Sequence, residues 1–228
     1  MQLDARLRAV ANFVGEGKRA ADIGTDHAYL AIALMRERKA VRVIASDKNE
    51  GPYEAAKRTV HEAGLGQDIS VRIGDGLAPL QPGEVDTVCI AGMGGVLMCE
   101  ILSAGTEVLG TVESMVLQPM NGAAELRRWL YEHQWYIADE ALALADGRIY
   151  EILSARRGKR KMPEPLLLEI GPVLWEKKPE LLRHHIERLL FQERSVAAGM
   201  EKSQRAKRSS KYKASLKKIK ALEERLKW

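Results

Sequence analysis

Between residues 19 and 134, short apolar runs alternate with amphipathic stretches, and this alternation constrains the fold more than any other feature of the chain. Runs at 19–25, 41–47, 69–74, 85–91 and 114–118 read as strands. Stretches at 28–38, 53–63 and 123–134, with an apolar stretch after residue 95, read as the helices that follow them. Pro52 just before 53–63 marks a helix start, and Gly64 its stop. Leu3, Leu7, Val10 and Val14 repeat at helical spacing, so a short amphipathic helix opens the chain. Five β-then-α units of this kind predict an α/β fold with a mostly parallel sheet covered on both faces. Segments 135–144 and 148–155 flank Ala145-Asp-Gly147, a hairpin signal, and are expected to close one edge as an antiparallel pair. The sheet is thus predicted to have seven strands.

Charge divides the chain. The 228 residues carry a net +5, but residues 1–155 hold 15 Lys/Arg against 22 Asp/Glu, and residues 156–228 hold 21 against 9. An acidic body of −7 is joined to a basic segment of +12, which points to a polyanionic partner for one part only. Residues 158–165 are basic, contain two prolines and lack periodicity, so they read as a linker between domains at 1–157 and 166–228. Beyond it, Leu181, Leu182, His185, Ile186, Leu189 and Leu190 form an apolar stripe, continued thinly by Val196 and Met200. Leu216, Ile219, Leu222 and Leu226 resume it after a polar gap. The pattern predicts two long helices folded back as an antiparallel coiled-coil hairpin, with one continuous helix as the alternative. His184 is expected to face solvent and His185 the seam. No acid interrupts Lys202–Lys220, which favours nucleic-acid contact over a merely solvated face.

No apolar run approaches the ~18 residues that a membrane span needs. The charged N-terminus lacks a signal-peptide core, so a cytoplasmic protein is expected. Cys89 and Cys99 have no partner His cluster, which predicts reduced thiols and no metal site.

In an open parallel sheet, ligands bind outside the carboxyl ends of the strands. The polar residues of the predicted strands fall there: Asp22-Ile-Gly-Thr-Asp-His27 after the first, Asp47 after the second, Gly74-Asp-Gly76 after the third and Ala91-Gly-Met-Gly-Gly95 after the fourth. An acid ending the second strand, ~20 residues beyond a glycine loop, suits a ribose. Gly24 permits close backbone approach. Asp75 suits an adenine amino group, with the following N–H for a ring nitrogen. The first loop carries Asp26 and Ala28 where the dinucleotide fingerprint wants glycines. Acids there repel a pyrophosphate but suit a sulfonium and an ammonium, so S-adenosyl-L-methionine is favoured over a nicotinamide cofactor.

The residues Ala21-Asp-Ile-Gly-Thr-Asp-His-Ala-Tyr-Leu30, Ile90-Ala-Gly-Met-Gly-Gly95 and Leu117-Gln-Pro-Met120, together with the opening Leu-Asp-x-Arg-Leu, resemble the TrmK family. Its members are class I (Rossmann-like) methyltransferases that modify N1 of adenine 22 in the D-arm of tRNA. Ala31 departs from the proline common there and removes no functional group. The resemblance implies Asp22, Gly24, Asp47, Asp75, Gly76, Ala91, Gly92 and Met93 as cofactor contacts. Asp26 would be the catalytic group facing the base, with capping of the next helix as the structural alternative. His27, Tyr29, Gly94 and Gly95 are candidates for substrate contact, Gln118 and Asn121 lie near the pocket, and Lys202, Arg205, Lys207, Arg208, Lys211 and Lys213 are candidates for RNA. The 91–95 loop lacks the Asn/Asp-Pro-Pro-Tyr of amino-group methyltransferases, which disfavours N6 chemistry. Two alternatives stay open at this point: methylation of another RNA or a small molecule, and a non-catalytic RNA-binding module with a relic pocket. A monomer is expected, with pairing of the apolar stripes between chains as the alternative.

Overall fold

The computed structural model describes residues 3–228, which divide into two compact units, 3–162 and 163–228. In the first unit, helix α1 (Ala5–Phe13) precedes strand β1 (Lys18–Ile23), helix α2 (Tyr29–Arg36), strand β2 (Ala40–Asp47), helix α3 (Glu50–Glu62) and strand β3 (Ile69–Ile73). Strand β4 (Thr87–Met93), helices α4 (Gly95–Ala104) and α5 (Thr106–Leu109), strand β5 (Ser114–Pro119) and helix α6 (Ala123–Glu132) follow. The hairpin β6 (Trp135–Ala145) and β7 (Arg148–Arg157) completes the unit.

These strands form a seven-stranded sheet in the order β3-β2-β1-β4-β5-β7-β6. The first five are parallel, and β7 runs antiparallel to both β5 and β6. This is a Rossmann-like architecture whose order reverses between β1 and β4, which opens a crevice at their carboxyl ends. The central strands are buried on both faces, as the adjacent pairs Ala20 and Ala21, Val88 and Cys89, and Met115 and Val116 show, and this is why they read as continuous apolar runs rather than alternating ones.

Two features depart from the expectation. No helix links β3 to β4: residues 74–86 pass through turns instead. Pro79 and Pro82, with Gly74, Gly76 and Gly83, deny that segment the hydrogen bonds and backbone geometry of a helix. Under the hairpin, a fully buried Arg127 on α6 donates to Glu140 on β6 at 2.7 Å and to Glu151 on β7 at 2.8 Å. A charge cluster therefore stands where the binary pattern expects only apolar packing. Its three members need one another, because removing one strands charge in a dry interior.

The second unit contains helices α7 (Pro165–Ile170), α8 (Pro172–Lys177), α9 (Leu182–Glu201), α10 (Gln204–Lys207) and α11 (Ser210–Arg225). Arg194 pairs with Glu223 at 2.6 Å, Lys218 with Glu193 at 3.0 Å, and the Tyr212 hydroxyl donates to Glu201 at 2.6 Å. Low numbers on α9 meet high numbers on α11, so the two helices lie antiparallel. Ser203 and Ser209 cap α10 and α11 in the turn between them. His185 is buried, with Nε2 3.1 Å from the Ile170 carbonyl, and His184 is exposed. The register of α11 differs from the predicted stripe. Tyr212, Ser215 and Leu222 are buried while Leu216 faces solvent, as does Val196 on α9. The 3-4-3 spacing of 212, 215, 219 and 222 is the inward face, disguised in the sequence because two of its members are a tyrosine and a serine.

Candidate active site

The loops after β1, β2, β3 and β4 converge on one rim of the sheet. The first is tied to the second strand: the Gly24 and Thr25 N–H groups both donate to the Ser46 carbonyl, at 2.8 and 3.0 Å. Gly24 has φ +75°, which would strain any other residue, and a Cβ there would stand 2.0 Å from the Met93 methyl and force that side chain to move. Asp22 is buried at the end of β1 and accepts from the Thr25 hydroxyl at 2.8 Å. Burial pushes its carboxyl up to about 6, against the opposing hydrogen bonds from Thr25 and the Ala31 backbone. A carboxylate so placed recovers its solvation when a cation arrives beside it. The neighbouring Cys89 thiol is pushed up by burial and by Asp22, which leaves it neutral and inert.

Asp47 ends β2, and its Oδ1 accepts from the Asn49 backbone and side chain at 2.8 and 3.1 Å, which fixes the carboxylate at the rim. With Gly24, Asp75, Gly76, Met93 and Leu97 it lines a cavity of about 120 Å³. Asp75 is exposed, and Gly76 has φ +54° against Ile101 of α4. A second cavity, of about 350 Å³, opens beside the first and is lined by Asp22, Thr25, Asp26, His27, Ala91 and Gly92 among others. Gly24 belongs to both. The pair forms a groove with two carboxylates at one end and acidic and aromatic groups at the other.

Asp26 does not cap α2. No side chain does: the N-cap is Ala28, in a left-handed conformation ahead of Tyr29, and its own N–H is taken by the Thr25 hydroxyl at 3.0 Å. The Asp26 side chain is left 77% exposed, 3.5 Å from His27 Nε2. The His27 and Tyr29 rings stack on each other with centroids 5.1 Å apart. An exposed carboxylate and an aromatic pair thus stand at the cavity mouth.

Two predicted contacts lie elsewhere. Gly94 and Gly95 line neither cavity: a Cβ on Gly94 would meet the Asn121 amide oxygen at 3.1 Å, and one on Gly95 the Gly122 carbonyl at 2.2 Å. The Gly95 N–H donates to the Asn121 carbonyl at 2.8 Å. Both glycines exist so that the loop after β4 can press against the loop after β5, and Asn121 is occupied in holding them.

Sequence reading gave no site role to Arg6, quoted only within the opening Leu-Asp-x-Arg-Leu, and it left Gln118 without one. Gln118 is fully buried, and its Oε1 accepts from Arg6 Nη1 at 2.7 Å and from the Gly92 N–H at 3.0 Å. The link joins residues far apart in the chain, and the only hint of it was the charged opening of α1.

In the second unit, Lys202, Arg205, Lys207, Arg208, Lys211 and Lys213 are all exposed. Among the described residues none of these six joins an ion pair, whereas Arg194, Lys218, Arg225 and Lys227 each have a carboxylate partner. These six lie around α10 and the start of α11.

The sequence profile of the tRNA (adenine(22)-N(1))-methyltransferase family, TrmK, matches residues 20–223. The chain belongs to the TrmK family. The Bacillus subtilis tRNA (adenine(22)-N(1))-methyltransferase is 43% identical over 160 residues, 70% of this chain and 67% of that protein. The crystal structure of B. subtilis TrmK superposes with a TM-score of 0.90 at 34% identity, covering 99% of each chain. A Streptococcus pneumoniae structure solved in complex with S-adenosyl-L-methionine gives 0.87 at 32% identity, covering 99% of this chain and all of that one. Mycoplasma capricolum TrmK in complex with S-adenosyl-homocysteine gives 0.84 at 25% identity, covering all of this chain and 99% of that one. As a TrmK member this chain is a tRNA (adenine(22)-N1)-methyltransferase. Among the described residues, no cluster of three or more His, Cys, Asp or Glu could hold a metal, and no helix is long and apolar enough to cross a membrane.

Proposed function

We propose that this rim methylates N1 of adenine 22 in the D-arm of tRNA, with Asp26 as the group that meets the base and the basic tip of the second unit as the grip on RNA. The cofactor is S-adenosyl-L-methionine, which supplies an electrophilic methyl carried on a sulfonium. The observation that carries the reading is the groove itself. Its carboxylates suit a ribose, an adenine amino group and a cationic amino-acid end in one line, and the acids of its first loop repel a pyrophosphate. Asp47 would hold the ribose hydroxyls, Asp75 and the Gly76 N–H the adenine, and Asp22, Gly24 and the 91–93 backbone the remainder. The protein acts in the cytoplasm as a monomer.

N1 of neutral adenine already has an in-plane lone pair, so no base is needed before attack. The protein's task is therefore alignment and exclusion of water. Methylation leaves positive charge on the purine and acidifies its exocyclic amino group. The Asp26 carboxylate accepts from that amine, stabilises the developing cation and can take the proton afterwards. Tyr29 and His27 offer the purine an aromatic face. N1 lies on the pairing edge, so a paired adenine must be unstacked or flipped to enter, and recognition of the site then rests on RNA shape and phosphate contacts.

Transcripts of one tRNA with adenine or guanine at position 22 test the proposal. The adenine transcript should yield 1-methyladenosine and the guanine transcript no product. Methylation that persists without adenine 22, or a different methylated nucleoside, would overturn it.

A further inference from the structure

We infer that Arg6 is a cofactor-binding residue that holds the α-carboxylate of the methyl donor's amino-acid end. The inference rests on the use of S-adenosyl-L-methionine, whose amino-acid end carries three charges: the sulfonium, the ammonium and the carboxylate. The larger cavity offers three carboxylates, from Asp4, Asp22 and Asp26. They suit the two cationic groups and repel the anionic one. Among the described lining residues, Arg6 alone brings a permanent positive charge, and its planar fork of N–H groups matches a carboxylate.

The local geometry keeps that fork in place. Asp4 is spent as the N-cap of α1, accepting the Leu7 N–H at 2.7 Å, and its other oxygen stands 3.6 Å from Arg6 Nη2. One nitrogen of Arg6 is committed to Gln118 Oε1 at 2.7 Å. Gln118 is fixed in turn, because its Nε2 donates to the Pro119 carbonyl at 3.0 Å and its Oε1 also accepts the Gly92 N–H. The Tyr150 ring backs the guanidinium at 5.9 Å. A buried glutamine thus aims an arginine along the backbone of the 91–93 loop, and the nitrogen it holds would stand 3.6 Å from a Cβ on Gly92. That loop and Gly24, which lines the same cavity, bound the space where the amino-acid end must lie. The side chain is only 21% exposed, which favours a small ligand inside the groove over a phosphate of the RNA outside it.

Calorimetric titration of the full chain with two ligands tests this. One is S-adenosyl-L-homocysteine. The other is its decarboxylated analogue, 5′-deoxy-5′-(3-aminopropylthio)adenosine, which keeps the ammonium. Arg6→Met should weaken S-adenosyl-L-homocysteine on the order of 10- to 100-fold, as loss of a charge-assisted contact does. It should change the analogue less than about threefold, and Arg6→Lys should recover part of the loss. Equal weakening of both ligands would mean that Arg6 only shapes the loop and would overturn the assignment. Unchanged affinity for both, with a fall in tRNA affinity, would assign Arg6 to a phosphate and overturn it too. Loss of the thermal transition in Arg6→Met would shift the comparison to Arg6→Gln. Failure of the wild-type chain to bind S-adenosyl-L-homocysteine at all would instead strike the cofactor reading beneath the inference.

Discussion

The rim of the first unit and the tip of the second are both charged surfaces, built in opposite ways. Asp22, Asp47 and Asp75 sit at strand ends, and two of them are held by their neighbours: Asp22 by Thr25, and Asp47 by Asn49. The six cations of the tip project into solvent, and none of them is held in an ion pair among the described residues. The difference matches two ligands. A small cation with groups a few ångströms apart is recognised by fixed partners at short range, where desolvation strengthens each contact. A polyanion is gripped by a field of mobile charges that release counterions, and no single geometry is required. The net charge of +5 averages these two designs into a figure that describes neither.

The contrast predicts effects that separate cleanly. The largest is expected at the tip. Replacing Lys202, Arg205, Lys207, Arg208, Lys211 and Lys213 together by serine should weaken tRNA binding by about 100- to 1,000-fold near physiological salt. Cofactor affinity should stay within about twofold. A comparable fall in both, by filter binding and calorimetry on one preparation, would break the division.

At the rim, Asp26→Asn should lower kcat by about 100-fold, the lower end of what a positioned proton acceptor contributes. The affinities for S-adenosyl-L-homocysteine and for tRNA should stay near wild type. Full turnover with cofactor bound would remove Asp26 from the chemistry.

The smallest effect concerns Asp22, whose carboxyl is pushed up to about 6 by burial. It is neutral below that pH and negative above it, so affinity for S-adenosyl-L-homocysteine, whose ammonium enters the same groove, should rise about tenfold from pH 5 to 7 and then level off. Asp22→Asn should flatten the rise. Stability of the ligand-free protein should move the other way. The folded chain holds this proton more tightly than the unfolded chain, where the ordinary value is 3.8, so Asp22 costs stability progressively as pH rises from about 4 through 6 and the cost is complete above that. A cofactor affinity that falls with pH would contradict the placement.

Much of this was legible in the sequence, for reasons tied to particular residues. The parallel sheet announces itself because β1, β4 and β5 are buried on both faces and leave unbroken apolar runs. The rim is legible because polar residues at the ends of such runs have few structural uses. What escaped depends on partners remote in sequence. Arg6 and Gln118 are 112 residues apart, and nothing local to either predicts their bond. Arg127 looks like an exposed helix residue until Glu140 and Glu151 close over it. Gly94 and Gly95 read as ligand-facing because glycine at a strand end usually makes room for something; here the something is the Asn121 side chain for Gly94 and the Gly122 backbone for Gly95. Asp26 makes no capping bond to α2, because the chain enters that helix through a left-handed Ala28 whose N–H the Thr25 hydroxyl takes, and this leaves Asp26 exposed for chemistry.

The division between a fixed acidic rim and an open basic tip is tested most directly by the salt dependence of two affinities on the wild-type protein. Between 50 and 200 mM salt, log affinity for tRNA should fall steeply with log salt, with a slope of about 4 to 5 if all six tip cations meet phosphates. Affinity for S-adenosyl-L-homocysteine should be almost flat, because its partners are fixed at short range and screened little. A shallow slope for tRNA, or the same slope for both ligands, would contradict the account.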